Sequence, residues 1–215
     1  MLLTDVDIER INATAGEIRG QGGTAQAMRV DVRNYDEVEK AVELARTAFG
    51  GVDFMLNFCG GAPTRVFQRG EPFAQRDPAL LEWGIDVNLR GPLYFCRAAF
   101  PAMIERKGGV IVNIGSIDGV TGSGAVEYSA AKSGMEGLTK SLAIVGAPHG
   151  IRAVCVIPGP VLTRPGMAAM KTLLGRAGEP QELVDFILYL CSEKGAFITG
   201  SCHLVDGGRA CLAGA

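Results

Sequence analysis

The sequence predicts one α/β domain built on a doubly wound parallel sheet that is covered by helices on both faces. Short apolar runs alternate with amphipathic stretches along all 215 residues. The run GGVIVNIGS (108–116) is apolar almost throughout and lies between glycines, which is typical of a strand buried on both faces. A chain of this length fits one domain with a sizeable core.

The first half of the chain alternates strands and helices, and each predicted strand leads into a polar residue or a loop. A long polar connection, 62–78, separates the third strand from the third helix. The motif Asn-Tyr-Asp-Glu at residue 34 predicts a capping box at a helix start. The predicted strands are 1–5, 24–32 and 51–57, and the predicted helices are 7–20, one from Asn34, and 78–106.

The second half continues the same alternation. Strands are predicted at 108–116, 151–160 and 201–208, and helices at 125–146 and from Pro180. Ligands of parallel α/β sheets bind at the carboxyl ends of the strands, so we expect the functional residues directly after them.

Charge and composition exclude several classes of partner. The net charge is −2 and the pI about 5.8, so no basic surface for nucleic acid or anionic membrane is predicted. No apolar run reaches the roughly 18 residues of a membrane span, and the N-terminus does not resemble a signal peptide.

The cysteines and histidines do not predict a metal site. The six cysteines show neither a C-x-x-C pair nor zinc-ligand spacing, and the two histidines lie far apart. Most of the cysteines lie in apolar runs, so we expect small buried hydrophobes in a reducing compartment, and hence a cytoplasmic protein.

The stretch EYSAAKSG predicts chemistry. Tyr128 and Lys132 are four residues apart on a predicted helix and share one face, and Ser116 ends a predicted buried strand. The phenol can exchange a proton, the ammonium can lower the phenol pKa from about 10, and the hydroxyl can orient a substrate oxygen. The alternative for such a Tyr–Lys pair is an ordinary solvated helix face.

Five motifs occur in the order of a known family: VNLRG, NIGS, YSAAK, PGPVLT, and ITG followed by VDGG. On these motifs the chain resembles the short-chain dehydrogenase/reductase family over residues 1–215. The resemblance implies a Rossmann-like fold and hydride transfer between NAD(H) and a secondary alcohol or ketone. It also implies a catalytic group formed by Asn88, Ser116, Tyr128 and Lys132.

The family assigns each of these residues a role. Tyr128 would exchange the proton of the reacting oxygen, which Ser116 would hold. Lys132 would lower the phenol pKa and bind the nicotinamide ribose, and Asn88 would anchor a proton-relay water. The alternative for Asn88 is a hydrogen bond within a helix that Gly91 and Pro92 interrupt.

The cofactor residues follow from position and from the resemblance. Asp5 ends the first strand, where a carboxylate accepts hydrogen bonds from ribose hydroxyls and repels a 2′-phosphate, so NAD is expected rather than NADP. The alternative for Asp5 is a helix N-cap. Asp31 and Val32 match the pair that flanks adenine, with a helix-leading turn as the alternative. The other implied cofactor residues are Asn57, Gly60, Tyr128, Lys132, Pro158, Gly159, Val161 and Thr163.

The Gly-rich phosphate turn of the family is not present before Asp5. The family's first strand, turn and helix, about 30 residues, would lie upstream of Met1, so we expect an N-terminally truncated sheet with two interior strand edges open. We interpret Met1 as an internal methionine taken as a start or as a truncated product. The alternative is a natural short form that has lost pyrophosphate binding.

Two segments depart in length from the family. The stretch 60–83 is longer and 160–175 is shorter, so substrate contacts could move to Arg65, Phe67 or Arg69; a surface insertion is the equal alternative. Helices 78–106 and 125–146 match those that pair subunits, which predicts a homotetramer or homodimer. The rival to an enzyme is a non-catalytic binding or assembly protein of the same fold, or an inactive fragment.

Overall fold

The computed structural model describes residues 1–212. Strands and helices alternate in the predicted order, and every predicted element is found. The strands are β1 (Leu2–Asp5), β2 (Gln26–Arg29), β3 (Phe54–Asn57), β4 (Gly109–Ile114), β5 (Ile151–Pro158) and β6 (Cys202–Val205). The helices are α1 (Ile8–Gly20), α2 (Tyr35–Phe49), α3 (Pro63–Val66), α4 (Pro78–Ile85), α5 (Gly91–Glu105), α6 (Ile117–Thr121), α7 (Val126–Gly146) and α8 (Pro180–Cys191).

All strand pairs are parallel, which confirms the predicted α/β class. The strands form two sheets, in the orders β2–β1 and β3–β4–β5–β6. Among the described residues, β1 and β3 each hydrogen-bond to a strand on one side only. The expected open edges are therefore observed, and each carries backbone groups without a ladder partner.

Strand β4 is buried on both faces, as its apolar sequence predicts. Ile111 faces a core that α2 and α5 line, while Val110 and Val112 face a second core that includes Ile187 and Leu190 of α8. Side chains alternate between the faces of a strand, so a single apolar run supplies both cores. This arrangement fixes the carboxyl end of β4, where Ser116 follows.

The structure corrects one predicted strand end and one predicted helix cap near α2. Strand β2 ends at Arg29, earlier than expected, and the side chain of Asp31 turns back to accept a hydrogen bond from the backbone N–H of Arg33 (3.0 Å). Asn34 caps α2 by accepting from the N–H of Asp36 (3.1 Å). Glu37, however, accepts from the N–H of Asp31 (2.8 Å), and the N–H of Asn34 donates to the carbonyl of Asp31, so Asn34 caps the helix but the predicted capping box does not form.

The structure also adds detail to the segment 62–106. The predicted connection contains α3 and a 3₁₀ turn at Phe73–Gln75, so it is not a structureless loop. The predicted single helix is α4 and α5 joined by a π-helical turn at Asp86–Arg90. A π turn inside a helix often marks a functional site, and Asn88 lies within this one.

Candidate active site

Lys132 lies in α7 and is buried against the end of β4. Its Nζ donates a hydrogen bond to the carbonyl oxygen of Ile114 (2.8 Å) and lies 5.8 Å from the centroid of the Tyr128 ring. Burial lowers the pKa of Lys132 to about 8, because an ammonium loses hydration there. The Tyr–Lys pair therefore faces the sheet and not the solvent.

Ser116 is the N-cap of α6 and not the last residue of the strand, because β4 ends two residues earlier, at Ile114. Its Oγ accepts from the N–H of Asp118 (3.2 Å). Burial raises the pKa of the half-buried Tyr128 phenol, and the Ser116 hydroxyl is the group that opposes this most. Desolvation outweighs the contributions that lower this pKa. The lowering of the phenol pKa by Lys132 stays a prediction.

Three charged side chains also act on the phenol. Arg65 and Arg164 lower the pKa of Tyr128, whereas Asp118 raises it. Arg65 was a predicted substrate contact in the long segment after β3. Arg164 follows β5 and was not predicted, since nothing in its local sequence distinguishes it from an exposed loop arginine.

Asn88 is fully buried and holds the loop that follows β3. Its Oδ1 accepts from the N–H of Gly61 (2.8 Å), and its Nδ2 donates to the carbonyls of Gly61 (2.9 Å) and Gly84 (2.8 Å). A Cβ on Gly60 would lie 2.7 Å from Asn88 Oδ1 and 3.1 Å from Lys132 Nζ, so glycine is required there. The bond to Gly84 makes the predicted alternative, a hydrogen bond within the helix, part of the observed arrangement.

Together these contacts bring the four predicted catalytic residues to one place. The loop at Gly60 joins Asn88 to Lys132, and the end of β4 joins Lys132 to Ser116 and Tyr128. The arrangement holds a phenol, a hydroxyl and an ammonium at the carboxyl ends of parallel strands. Such a group can hold a substrate oxygen and exchange its proton.

Asp5 is exposed at the carboxyl end of β1. Its Oδ1 accepts from the N–H of Asp7 (3.0 Å). The N-cap of α1 is Asp7, which accepts from the N–H of Arg10 (3.0 Å), so the predicted alternative of an N-cap role for Asp5 is wrong. Asp7 takes that role because α1 begins at Ile8.

Asp31 and Val32 lie after β2 in different surroundings. Arg33 holds Asp31 with two parallel hydrogen bonds, from Nε to Oδ1 (2.9 Å) and from Nη2 to Oδ2 (2.6 Å), and lowers the pKa of that carboxyl. Val32 is buried, and a Cβ on Gly91 would come within 2.6 Å of its Cγ2. Val32 thus packs against the start of α5.

Asn57 points into the core and not toward a ligand. Its Nδ2 donates to Asn113 Oδ1 (2.8 Å), and Asn113 Nδ2 donates to Thr139 Oγ1 (2.9 Å). This buried chain of hydrogen bonds ties β3, β4 and α7 together. Asn113 and Thr139 were not predicted, although an asparagine inside the apolar run VIVNIG was an available signal. Because the Asn57 side chain bonds within the core, a cofactor contact at Asn57 would come from its backbone.

Pro158 is the last residue of β5, and Gly159, Val161 and Thr163 follow it. The N–H of Gly159 donates to the carbonyl of Val205 (3.0 Å), and a Cβ there would lie 2.6 Å from Asp206 Cα. The carbonyl of Val161 accepts from the N–H of Thr163 (2.6 Å). This segment is therefore held closely against the loop after β6.

The long segment after β3 is anchored at the start of α7. Arg76 Nη1 pairs with Glu127 Oε2 (2.7 Å), and both side chains are buried. Phe67 contacts Trp83 edge to face, with the ring centroids 5.0 Å apart. Arg76 and Glu127 were not predicted, although Glu127 directly precedes Tyr128.

The six cysteines differ in burial, and the helices are short or polar for a membrane. All six cysteines have free thiols; Cys96 and Cys155 are buried, whereas Cys59 and Cys211 are exposed, so the predicted burial holds only in part. Within residues 1–212, every helix is too short or too polar to span a bilayer.

Comparisons with known proteins agree with this geometry. A family model described as enoyl-(acyl carrier protein) reductase matches residues 1–210. The trans-4-hydroxycyclohexanecarboxylate dehydrogenase of Sinomonas cyclohexanicum is 38% identical over 94% of this chain and 76% of its own. The cyclohexanol dehydrogenase of Acinetobacter sp. (strain SE19) is 33% identical over 96% of this chain and 83% of its own.

A solved structure shares the fold. A crystal structure described as a short-chain dehydrogenase/reductase of Burkholderia xenovorans superposes with a TM-score of 0.85 and 28% identity. The match covers 98% of this chain and 84% of that one.

Proposed function

Because the chain belongs to the short-chain dehydrogenase/reductase family of oxidoreductases, we propose that it transfers a hydride between NAD(H) and a secondary alcohol or ketone. The observation that carries the proposal is the convergence of Ser116, Tyr128 and Lys132 at the carboxyl end of β4. When bound, NAD(H) would supply or accept the hydride. The protein supplies orientation and a proton.

Tyr128 is the proposed acid and base. Burial raises the pKa of Tyr128 and so favours the phenol, which can donate a proton to the oxygen of a ketone and become a phenolate. In the reverse direction the phenolate accepts the proton of an alcohol and becomes the phenol again. Ser116 donates a hydrogen bond to the same oxygen. Asn88 positions this group by fixing the loop beside Lys132.

The donor and acceptor groups present fit a nicotinamide cofactor. Among the described residues, Lys132 uses one of its three N–H donors on Ile114, and Asp5 has one backbone donor. Both retain capacity toward ribose hydroxyls. Asp31, Val32, Gly60 and the segment 158–163 would line the remainder. The exposed carboxylate of Asp5 supports NAD over NADP.

The protein is proposed to be cytoplasmic, and an enzyme is favoured over a non-catalytic protein of the same fold. Free thiols on all six cysteines support a cytoplasmic protein. The rival, a non-catalytic protein of the same fold, is disfavoured by the buried Lys132, because a buried ammonium has a cost in stability that an idle protein has no reason to keep.

Turnover of secondary alcohols with NAD, followed by NADH absorbance, tests the proposal. The Tyr128→Phe variant should lose about 10²–10⁴-fold in kcat because the proton acceptor is gone. Its NAD affinity, measured by calorimetry, should stay near that of the unchanged chain. A variant that kept most of its kcat would show that Tyr128 is not the acid. NAD binding without turnover of any alcohol or ketone would favour the rival.

A further inference from the structure

Within residues 1–212, Arg65 and Arg164 are exposed arginines whose guanidinium groups pair with no carboxylate and donate to no carbonyl. Most of the other arginines pair with a carboxylate or donate to a backbone carbonyl. Within residues 1–212, neither Arg65 nor Arg164 forms an ion pair or a side-chain hydrogen bond. A guanidinium presents several N–H donors in one plane, so both residues have their full donor capacity available.

Both arginines lie beside the proposed reaction centre. Arg65 is in α3, and its Nη2 comes within 3.5 Å of the position that a Cβ on Gly61 would take. Gly61 is the residue that Asn88 holds, so this guanidinium rests on the loop next to the catalytic group. Arg164 follows β5, whose carboxyl end lies beside the end of β4 that Lys132 contacts, since the two strands pair in parallel. Both arginines also lower the pKa of Tyr128.

The acidic groups nearby do not cancel these two charges. Glu127, next to Tyr128, is already paired with Arg76. Asp118 raises the pKa of the phenol, whereas two arginines lower it. Within residues 1–212, Asp118 forms no ion pair with either arginine. A surplus of positive charge therefore faces the space beside Tyr128.

We propose that Arg65 and Arg164 bind a carboxylate of the substrate, so that the preferred substrates are hydroxy acids and the corresponding keto acids. The inference rests on the proposed function and narrows its substrate class. A guanidinium holds a carboxylate with two parallel hydrogen bonds, which would fix the distance between the carboxylate and the reacting carbon. The preferred carbon skeleton is a matter of shape and is left to the test.

The test uses pairs of secondary alcohols that differ only in charge, each a hydroxy acid and its carboxamide, across open-chain and ring skeletons. At saturating NAD, the best acid should exceed its amide in kcat/KM by about tenfold to a hundredfold. Arg65→Gln and Arg164→Gln should each reduce that ratio by about tenfold or more, mainly through KM. The amide's own kcat/KM should fall much less than the acid's, because the amide loses only the effect of the two charges on the pKa of Tyr128.

Arg10→Gln is the matched control, because Arg10 is an exposed arginine on α1, away from the reaction centre. It should leave the acid-to-amide ratio as it is. Equal kcat/KM for acid and amide in every pair would overturn the inference. So would a loss in the Arg65 and Arg164 variants that is equal for both members of a pair.

A binding measurement separates this inference from the proposed function. Cyclohexanecarboxylate and cyclohexanecarboxamide cannot react, and their affinities can be compared by calorimetry in the presence of NAD. Tighter binding of the acid that depends on Arg65 and Arg164, together with no turnover of any alcohol, would uphold the anion site and reject the proposed function. Turnover without a preference for the acid would do the reverse.

Discussion

Asp5 and Asp7 lie two residues apart and have different roles. Asp7 satisfies a backbone donor at the start of α1, while Asp5 keeps an exposed carboxylate at the end of β1. A substitution at each position therefore separates a helix-capping effect from a cofactor effect. The same residue type at neighbouring positions gives a matched pair of variants.

The Asp5→Ala variant should narrow the preference for NAD over NADP, because the carboxylate that repels a 2′-phosphate is gone. The measurement is kcat/KM for each cofactor with one substrate. Asp7→Ala is the control; it should lose about 1 kcal/mol of stability with the loss of an N-cap and leave the cofactor ratio unchanged. An Asp5→Ala enzyme with the original ratio would contradict the assignment.

At the scale of elements, the segment between β3 and α4 is tied to α7 by a buried ion pair. Arg76 and Glu127 keep 6% and 2% of their side-chain surface exposed. Within the described residues, Arg76 Nε and Glu127 Oε1 have no hydrogen-bond partner, so the pair is incompletely satisfied. Such a pair adds little net stability, but removing one member leaves a buried charge uncompensated.

The Arg76→Met variant should therefore lose about 3–5 kcal/mol of unfolding free energy, measured in urea. Arg76→Met combined with Glu127→Leu should recover most of that loss, because both charges are then removed. Arg69→Met is the control; its pair with Glu71 is more exposed, at 47% and 28%, and should contribute less than about 1 kcal/mol. Equal losses for Arg76→Met and Arg69→Met would contradict the prediction.

At the scale of the whole molecule, the strands form two parts: the sheet of β1 and β2, and the sheet of β3 to β6. The pair β1–β2 joins the remainder through the packing of α2 against α5, where Tyr35 meets Tyr94 edge to face. Strand β4 pairs on both sides and lies between two cores, whereas β1 pairs on one side. Stability should therefore differ between the two parts.

Hydrogen exchange can measure this difference. Backbone amides of β1 and β2 should exchange much faster than those of β4 and β5, because fewer cooperative contacts must open. A version extended upstream by a strand, a Gly-rich turn and a helix should gain protection in β1 and β3 and a larger NAD-induced rise in Tm. Uniform protection, or a full NAD response without the extension, would overturn this prediction.

Exposed apolar residues on α5 and α7 predict self-association. Leu93, Ile104 and Ile144 are 45%, 38% and 74% exposed on the helices that the family uses between subunits. We expect a homodimer or homotetramer by light scattering, and Ile144→Glu should shift it toward monomer because a charge is disfavoured in an apolar interface. Val120→Glu, at an apolar residue of α6 that is 46% exposed, should not. A monomer throughout would reject the prediction.

Local pattern was enough to predict much of this protein. The alternation of apolar runs and amphipathic stretches predicted each strand and the main helices, because helical and strand periodicities are properties of a few neighbouring residues. The spacing of Tyr128 and Lys132 predicted a shared helix face for the same reason.

Contacts between distant segments could not be read from local pattern. Arg76 meets Glu127 across 51 positions of sequence, and Asn57 meets Asn113 across 56. The neighbours of Asn113 show that a buried amide needs a partner, but they do not identify that partner. The pKa of Tyr128 is likewise raised by burial and shifted by residues from several segments, among them Ser116, Arg65 and Arg164. These features depend on how β3, β4 and α7 pack, because desolvation and charge pairing act through space and not along the chain.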